Sequence, residues 1–439
     1  MSRRQTDWLP RMRALAPNRA STLAVLDIGS NKVGCMIARL KPQRDHGDLP
    51  QRSHSVQVLG LGQQRSTGVK RGTIVDMENA ERAIRLAVDS AERMAGVTVD
   101  SVVASISAGR LTSSHFAARV SVGGEAVSGA DVHRVLEAGR AYSVSADEVV
   151  LHSLPIAYSL DDANGVRDPR GMVGRELGVD MHLVTAQAWT VRNLVLCIER
   201  CHLDVEAVVA APYAAGLGSL VADELELGSA CIDMGGGTTT FGVFAYGGFV
   251  CCDAIAIGGH HVTMDLARGL STSIEAAERI KTLYGSTISG GADLGESISV
   301  PEVGEEDSTG GSNQFPRSLV TEIIRARVEE ILEMVRDRLA ATPFSGLAGK
   351  RAVLTGGASQ LPGTVELAEQ VLGYKVRTGR PLGANGLPDS ARGAAFAVPL
   401  GLALFPAVAG RECHEPGARR RAMAGGYFAR VGNWIRESF

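Results

Sequence analysis

Two short turns rich in glycine, serine and threonine each follow an aspartate at the end of an apolar run, and a second apolar run follows each turn. The first is LAVLDIGSNKVGCMIARL around Asp27, and the second is ACIDMGGGTTTFGVFAYGG around Asp233. Glycine lets the backbone approach a ligand closely, so that successive N–H groups can point at one phosphate. Carboxylates next to phosphates suit a hydrated divalent cation. The pair of turns therefore predicts one phosphate and cation site shared by two halves of the chain.

The apolar runs on both sides of each turn predict strand, turn and strand. This order differs from the strand, glycine-rich turn and helix of a P-loop or a dinucleotide-binding fold. Each turn taken alone is also compatible with an ordinary β-hairpin that has glycine at positive φ. Two such hairpins together, with a third element further along the chain, favour a nucleotide clamp.

The third element is RAVLTGGASQLPGTVELAEQVLG, where a β-rich run ends in Gly356 and Gly357 and a helical pattern follows. Before it, IAIGGHHVTMDLARGL places Gly258 and Gly259 ahead of a predicted helix, whose N-terminus could receive an anion.

The next predicted helix, IEAAERIKTLYG, has Glu278 and Lys281 one turn apart on the same face. This spacing is also typical of a solvated salt bridge.

In this order, the segments resemble the phosphate and adenosine motifs of the actin/Hsp70/sugar-kinase superfamily and, within it, the FtsA family of bacterial cell-division proteins. The resemblance runs from about Leu23 to about Gly386 through DIGSNK, DMGGGTTT, GGHHVTMD, AERIKTLYG and LTGGASQLPG. It implies an α/β, actin-like fold in which two lobes, built on duplicated ribonuclease-H-like domains, surround a nucleotide cleft. A C-terminal amphipathic helix would follow them.

The resemblance also implies ATP and Mg²⁺ as the ligands of the cleft. Asp27 and Asp233 would hold the metal through water, Lys32 would approach the phosphates, and Glu278 and Lys281 would approach the ribose and adenine. The residues assigned to the nucleotide are Asp27, Gly29, Ser30, Asn31, Lys32, Asp233, Gly235, Gly236, Gly237, Thr238, Gly259, Glu278, Lys281, Gly356 and Gly357.

One position departs from the superfamily pattern. Thr240 stands where an acidic residue often follows the second turn, and losing that carboxylate should weaken the organisation of the metal and of the attacking water. No residue of the chain is identified as a general base. We therefore expect at most a slow ATPase, in which ATP mainly serves as a structural and polymerisation ligand.

The resemblance divides the chain into subdomains named as in the family. The expected segments are a disordered basic extension at 1–20, subdomain 1A at 21–102, 186–211 and 381–406, an inserted subdomain 1C at 103–185, subdomain 2A at 212–256 and 319–380, subdomain 2B at 257–318, a flexible linker at 407–424 and an amphipathic helix at 425–439. The insert is interpreted as a small α+β module that opens with SVVASISAG and contains the helical pattern ADVHRVLEAGRAYS.

The last residues, GGYFARVGNWIRESF, form an amphipathic helical pattern. The predicted membrane-facing stripe and the arginines beside it are Tyr427, Phe428, Val431, Trp434, Ile435, Arg430 and Arg436. A C-terminal helix that docks on its own domain would need the same stripe. The basic linker and the family resemblance favour a helix that lies in an anionic membrane interface.

The family resemblance also implies partners. They are the C-terminal tail of the tubulin-like protein FtsZ, with Arg317 at the start of the helical pattern LVTEIIRARVEEILEMVRDRL, further copies of the chain in filaments, anionic lipids and other division proteins. The expected location is the division site, on the cytoplasmic side of the inner membrane. Alternatives are an actin-like component of a pilus or secretion platform, a filament protein of the MreB type, and a small-molecule kinase or phosphatase.

Composition excludes several other classes. The formal net charge of −3 over 439 residues gives no overall basic field for nucleic acid. No apolar run is expected to reach the roughly 18 residues needed to span a bilayer. The seven cysteines match neither a zinc site nor a disulfide framework. Cys197 and Cys201, one helical turn apart, are interpreted as core residues.

Overall fold

The computed structural model describes residues 8–12, 15–16, 18–43, 53–108, 110–140, 142, 144–288, 296–302 and 312–413. The predicted amphipathic helix at 425–439, the linker residues 414–424 and the loop residues 303–311 lie outside the described residues.

The first lobe is built on a six-stranded sheet of order β11-β6-β1-β2-β3-β19. Its strands are β1 (Ser21–Ile28), β2 (Lys32–Pro42), β3 (His54–Arg65), β6 (Ser101–Ile106), β11 (Asp204–Ala210) and β19 (Ala384–Asn385). Its helices are α1 (Met77–Ala95), α3 (Ala188–Glu199), α4 (Ala211–Ser219) and α10 (Ala397–Val408). A two-strand hairpin, β4 (Val69–Lys70) and β5 (Thr73–Ile74), precedes α1.

The second lobe is built on a five-stranded sheet of order β14-β13-β12-β17-β18. Its strands are β12 (Ser229–Met234), β13 (Thr239–Ala245), β14 (Gly248–Ile255), β17 (Arg351–Thr355) and β18 (Lys375–Thr378), with a separate hairpin of β15 (Ser297–Pro301) and β16 (Ser312–Pro316). Its helices are α5 (Ala222–Leu227), α6 (Gly259–Gly269), α7 (Ile274–Tyr284), α8 (Arg317–Ala340) and α9 (Thr364–Leu372).

The two sheets repeat one topology. In each, three antiparallel strands are followed by two parallel ones, because β3-β2-β1-β6-β11 corresponds strand for strand to β14-β13-β12-β17-β18. The hairpins β1-β2 and β12-β13 therefore occupy equivalent places, as the duplicated turns in the sequence predict. This repeat confirms the predicted α/β fold of two related lobes.

The inserted module is a four-stranded antiparallel sheet of order β7-β10-β8-β9, against which α2 (Gly129–Gly139) packs. Its strands are β7 (Thr112–Ser121), β8 (Glu148–Leu160), β9 (Ala163–Val166) and β10 (Glu176–Gln187). The expectation that SVVASISAG opens this module is wrong. Strand β6 lies instead between β1 and β11 of the first lobe, and its residues are buried rather than alternating in exposure.

Helix α8 matches the apolar pattern in the sequence. Its buried face is Val320, Thr321, Ile324, Val328, Ile331, Leu332, Val335 and Leu339. This face belongs to the hydrophobic core of the second lobe, so the interpretation of α8 as a domain helix rather than a coiled coil is confirmed.

Part of the predicted disordered extension packs on the body of the protein. Leu9 is 4% exposed, and the guanidinium of Arg11 donates to the carbonyls of Val150 and Leu151 at 2.7 Å each. Apolar side chains and a backbone-binding arginine give this segment enough contacts to order it. The prediction of disorder is therefore wrong for these residues.

The predicted linker begins later than expected. Cys413 is 4% exposed and donates its N–H to the Ser153 carbonyl at 2.7 Å. The buried carboxylate of Glu412 lies 2.6 Å from Nδ1 of His152, which is itself fully buried. Residues 407–413 therefore belong to the folded body, because this pair and its neighbours attach them to β8.

Among the described residues, Ala394–Arg411 is the one segment long and apolar enough by composition to cross a membrane, contrary to the expectation from the sequence. In the structure 78% of it is buried inside the protein, where α10 packs closely on α4. A core helix of a folded domain passes the same test of length and composition.

All seven cysteines are free and buried, and the interpretation of Cys197 and Cys201 as core residues is confirmed. Among the residues that the structure describes, no group of three or more histidine, cysteine or carboxylate side chains could hold a metal.

Candidate functional site

The two glycine turns close in the same way. In the first turn, the N–H of Gly29 donates to the carbonyl of Lys32 at 3.0 Å, and in the second, Gly235 donates to Thr238 at 2.9 Å. Each turn thus reverses the chain directly between two paired strands. The predicted order of strand, turn and strand is confirmed at both places.

The two turns lie against each other across the gap between the lobes. A Cβ added at Gly237 would lie 2.3 Å from Oγ of Ser30, and one at Gly236 would lie 2.8 Å from Cβ of Asn31. Real Cβ atoms do not approach so closely, so only glycine fits at these two positions. The backbones of both lobes consequently reach the same end of the cleft.

The N-terminus of α6 supports the second turn. The N–H of Gly259 donates to the carbonyl of Gly235 at 2.9 Å, and that of His260 donates to Gly236 at 2.7 Å. These two donors are therefore engaged with the turn, contrary to the expectation that this helix end receives an anion. The helix instead fixes the turn in place.

The third glycine segment meets the second turn from the side of β17. Gly356 has a φ of +86°, and a Cβ there would lie 2.4 Å from the carbonyl oxygen of Met234. Both the left-handed backbone and the close approach require glycine at this position. The segment that follows β17 is thereby brought to the floor of the cleft.

Two carboxylates lie at the ends of the corresponding strands β1 and β12. Asp27 accepts a hydrogen bond from Oγ of Ser105 at 2.7 Å, and Asp233 accepts one from Oγ1 of Thr355 at 3.2 Å. Burial, and then repulsion by Asp27, raise the pKa of Asp233 to about 7, and burial also raises the pKa of Asp27. Two mutually repelling carboxylates deep in a cleft are a favourable site for a cation.

Lys32 is the positive group next to these carboxylates. Its Nζ lies 4.2 Å from the centroid of the Phe396 ring. Burial lowers the pKa of Lys32, while the charges of Asp27 and Asp233 act in the opposite direction. The ammonium group is thus held inside the cleft, where it can meet an anion.

Glu278 and Lys281 form an ion pair of 2.7 Å on α7. Nζ of Lys281 also donates to Oγ1 of Thr263 at 2.8 Å, on the neighbouring α6. Burial opposes ionisation of Glu278, but hydrogen bonds from Lys281 and Thr263 hold its pKa below the usual value. The pair is therefore part of a fixed network at the cleft wall rather than a freely solvated salt bridge.

All of these elements line one cavity of about 610 Å³ between the lobes. Every residue assigned to the nucleotide from the sequence lies on its wall. That they bind a nucleotide stays a prediction, but the structure brings them together in one place.

Other wall residues were not predicted from the sequence. They are Ser107, Ala211, His260, Thr282, Leu283, Gly285, Ala358, Gln360, Leu361, Pro362, Ala395 and Val398. Two of these, His260 and Ala358, directly follow a motif glycine, which is a usable signal. Ser107, Ala211 and Val398 carry no such signal, because only the tertiary fold brings them to the cleft.

Arg317, the expected partner-binding residue, begins α8 and also lies on the cavity wall. Its Nη1 lies 2.7 Å from a carboxylate oxygen of Glu296. Arg317 is thus at the edge of the cleft, next to the hairpin of β15 and β16.

Thr240 is fully buried and pairs with Asp233 across β12 and β13. Its hydroxyl has no hydrogen-bond partner among the described residues, and Thr240 does not line the cavity. Position 240 itself therefore carries no acidic side chain.

The repeated sheets and the cleft between them define an actin-like protein of two lobes. A relative from Rhizobium meliloti (strain 1021), described as cell division protein FtsA, is 52% identical over 433 residues, with 98% of each chain covered. The chain therefore belongs to the FtsA family of cell division proteins. The FtsA protein of Escherichia coli (strain K12) is 29% identical over 426 residues, which cover 94% of this chain and 97% of the relative.

Two family models match separate parts of the chain. The model described as cell division protein FtsA matches residues 230–401, and the model described as SHS2 domain inserted in FTSA matches residues 108–185. The second match begins after β6, in agreement with the assignment of that strand to the first lobe.

Solved structures show the same fold at low sequence identity. The PilM-PilN type IV pilus biogenesis complex gives a TM-score of 0.59 at 16% identity, covering 88% of this chain and 98% of the other. MreB 5 of Spiroplasma citri bound to AMPPNP gives 0.51 at 14% identity, covering 88% and 95%. These similarities confirm the actin-like fold, whereas the identity with FtsA proteins favours cell division over a pilus role.

The buried Asp233 leads to a prediction about stability. The pKa of Asp233 is raised to about 7 in the folded protein. The stability that its protonated form gives to the folded state is therefore fully present below about pH 4 and is lost as the pH rises through about 7. Asp233→Asn removes the buried charge. We expect it to raise the melting temperature at pH 8 by about 2 °C or more, without nucleotide or metal, and to have little effect near pH 4.

Thermal unfolding monitored by circular dichroism at the two pH values measures this difference. Asp100→Asn, at an exposed position, is the matched control and should leave the melting temperature unchanged at both pH values. A lower melting temperature of Asp233→Asn at pH 8 would contradict the assignment of a buried, repelled carboxylate.

Proposed function

We propose that the cleft binds ATP together with Mg²⁺. The observation that carries this proposal is the contact of two glycine turns, one from each lobe, at the end of a cavity that contains two aspartates and a lysine. Side chains at Gly236 and Gly237 would collide with Asn31 and Ser30 and would force the two turns apart. The structure of MreB 5 of Spiroplasma citri with AMPPNP supports a nucleotide in a cleft of this fold.

The donor set of this cleft fits the two ligands. The N–H groups of the two turns and the ammonium of Lys32 would hold the phosphates, and Asp27 and Asp233 would hold a hydrated cation, which usually keeps several waters and takes one or two carboxylates. Such a cation would also relieve the repulsion between the aspartates. Glu278 and Lys281 would lie toward the ribose and adenine.

We propose that any hydrolysis is slow and that ATP mainly stabilises the closed cleft and the assembly of subunits. The chain has a buried threonine at position 240, where the superfamily often has an acidic residue that helps to orient the attacking water. A ligand that binds the closed form better than the open one shifts the population toward it.

Calorimetric titration of Mg-ATP tests the cleft. Asp233→Asn should weaken Mg-ATP binding by at least about tenfold, equal to about 1.4 kcal/mol, because the cation loses one of its carboxylates. Titration in the presence of a chelator should show a smaller difference between the variant and the natural chain. Asp100→Asn is again the control. An unchanged affinity of Asp233→Asn for Mg-ATP would refute the assignment.

We propose further that the protein assembles into filaments at the inner face of the cytoplasmic membrane and tethers the division ring to it. The sequence pattern at 425–439, with an apolar stripe flanked by arginines, supports an interfacial helix. One short helix binds lipid weakly, whereas a row of subunits binds together. Arg317, next to the β15-β16 hairpin, would contribute to binding the C-terminal tail of FtsZ, and other division proteins would join the same assembly.

Deletion of residues 425–439 should leave a folded, nucleotide-binding protein that no longer sediments with anionic liposomes. Trp434→Glu, on the apolar stripe, should reduce sedimentation strongly, because a charge there opposes insertion into the interface. Asn433→Glu places the same charge on the opposite face and serves as the matched control. Equal sedimentation of the deleted and the full-length chain would refute the tether.

A further inference from the structure

The loop between β4 and β5 lies at the end of the cleft where the two glycine turns meet, although no motif in the sequence predicts it there. Arg71 and Gly72 connect the two strands and have φ values of 50° and 72°. A two-residue hairpin with both central residues at positive φ is a type I′ turn, which favours Asn-Gly. Here an arginine takes the first position.

An arginine is an unfavourable residue for this conformation. Left-handed backbone brings Cβ close to the next carbonyl oxygen, and asparagine tolerates this better than a long side chain does. Such outliers cluster at ligand sites, where the surrounding structure holds them in place. The outlier alone carries no conclusion, since six other non-glycine residues of the described chain also have positive φ.

The contacts of the turn supply the second observation. The N–H of Gly72 donates to Oγ of Ser30 at 2.8 Å, in the first glycine turn. A Cβ added at Gly237, in the second glycine turn, would lie 3.0 Å from the backbone nitrogen of Arg71. The Arg71–Gly72 turn therefore contacts both glycine turns, and through these contacts it connects the two lobes.

The charge of Arg71 supplies the third observation. Arg71 is exposed, and its guanidinium has no hydrogen bond or ion pair with any residue that the structure describes. Its charge nevertheless reaches the second lobe. Burial of His261, in the first turn of α6, is the main cause that lowers the pKa of this histidine, and the nearby charge of Arg71 lowers it further. The turn that contacts both glycine turns therefore carries a positive charge that no described residue pairs with, and this charge acts on the second lobe.

The turn is also connected to the outer surface of the first lobe. The N–H groups of Val75 and Asp76 donate to the carbonyl of Gly68 at 2.9 and 3.2 Å, and Asp76 caps α1 by accepting from the N–H of Asn79. Only a few residues separate the turn from this helix. A shift of the glycine turns would therefore be passed to the start of α1.

We propose that the Arg71–Gly72 turn reads the terminal phosphate of a bound nucleoside triphosphate. This inference rests on the proposed binding of ATP in the cleft. The backbone of the Arg71–Gly72 turn moves together with the two glycine turns that it contacts. The guanidinium of Arg71 favours binding of the more negative triphosphate over the diphosphate. Arg71 is a positioning residue in this account, because it acts through the glycine turns and does not line the cavity.

Calorimetric titration with Mg-ATP and Mg-ADP tests this role. Arg71→Asn keeps the type I′ turn and removes the charge, so it should weaken ATP binding by about fivefold, as expected for one charge at several ångströms in a partly solvated site. Binding of ADP should change by less than about twofold, because the extra charge of the triphosphate is absent. A purely structural role would weaken both nucleotides equally.

Two further variants separate charge from shape. Arg71→Lys keeps the charge and should restore the preference for ATP. Lys70→Gln removes a neighbouring exposed charge that does not contact the glycine turns, and it should leave the ratio of the two affinities unchanged. The effect of Arg71→Asn on ATP should also shrink as the ionic strength rises.

The outcomes distinguish this inference from the proposal on which it rests. If the natural chain binds neither nucleotide, the proposed binding of ATP and the role of Arg71 are both refuted. If it binds ATP and Asp233→Asn weakens that binding, while Arg71→Asn leaves the ratio of ATP to ADP affinity unchanged, only the role of Arg71 is overturned.

Discussion

The contact between two backbone turns, one from each lobe, is the constraint on which the rest of the structure depends. Because Gly236 and Gly237 carry no side chains, the turns approach until Ser30 and Asn31 fill the space that a Cβ would need. The duplicated strand order brings both turns to the same end of the cleft. Any larger residue at these glycines would separate the lobes at the point where they meet.

The electrostatics of the cleft are unfavourable without a ligand, and this explains its composition. Asp27 and Asp233 lie near one another in the cleft with little access to solvent, and the ammonium of Lys32 compensates their charges only in part. Functional sites commonly retain such destabilising groups, and the rest of the protein supplies the stability. In this protein, the stability comes from the hydrophobic cores of the two lobes and from the packing of α4 on α10. A cation with a triphosphate would neutralise the carboxylates and would offer phosphate oxygens to the backbone of the two turns.

The features predicted correctly from the sequence are those that local residue patterns specify. The hairpins around Asp27 and Asp233 and the helix α8 follow directly from apolar periodicity and glycine. The sequence pattern places strand β6 in the wrong sheet, since a short buried run does not show which neighbouring strands it pairs with. Leu9 and Glu412 belong to the folded body through contacts with residues distant in sequence, which composition does not reveal. The turn at Arg71 has no recognisable signal in the sequence, because an arginine occupies a position where turn chemistry favours asparagine or glycine.

The central claim is that both glycine turns hold one nucleotide at the same time. Hydrogen–deuterium exchange of the backbone amides in residues 29–32 and 235–238, measured with and without Mg-ATP, tests it most directly. The account predicts that both turns become protected together at the same nucleotide concentration. Protection of one turn alone, or of neither while calorimetry reports bound ATP, would contradict it.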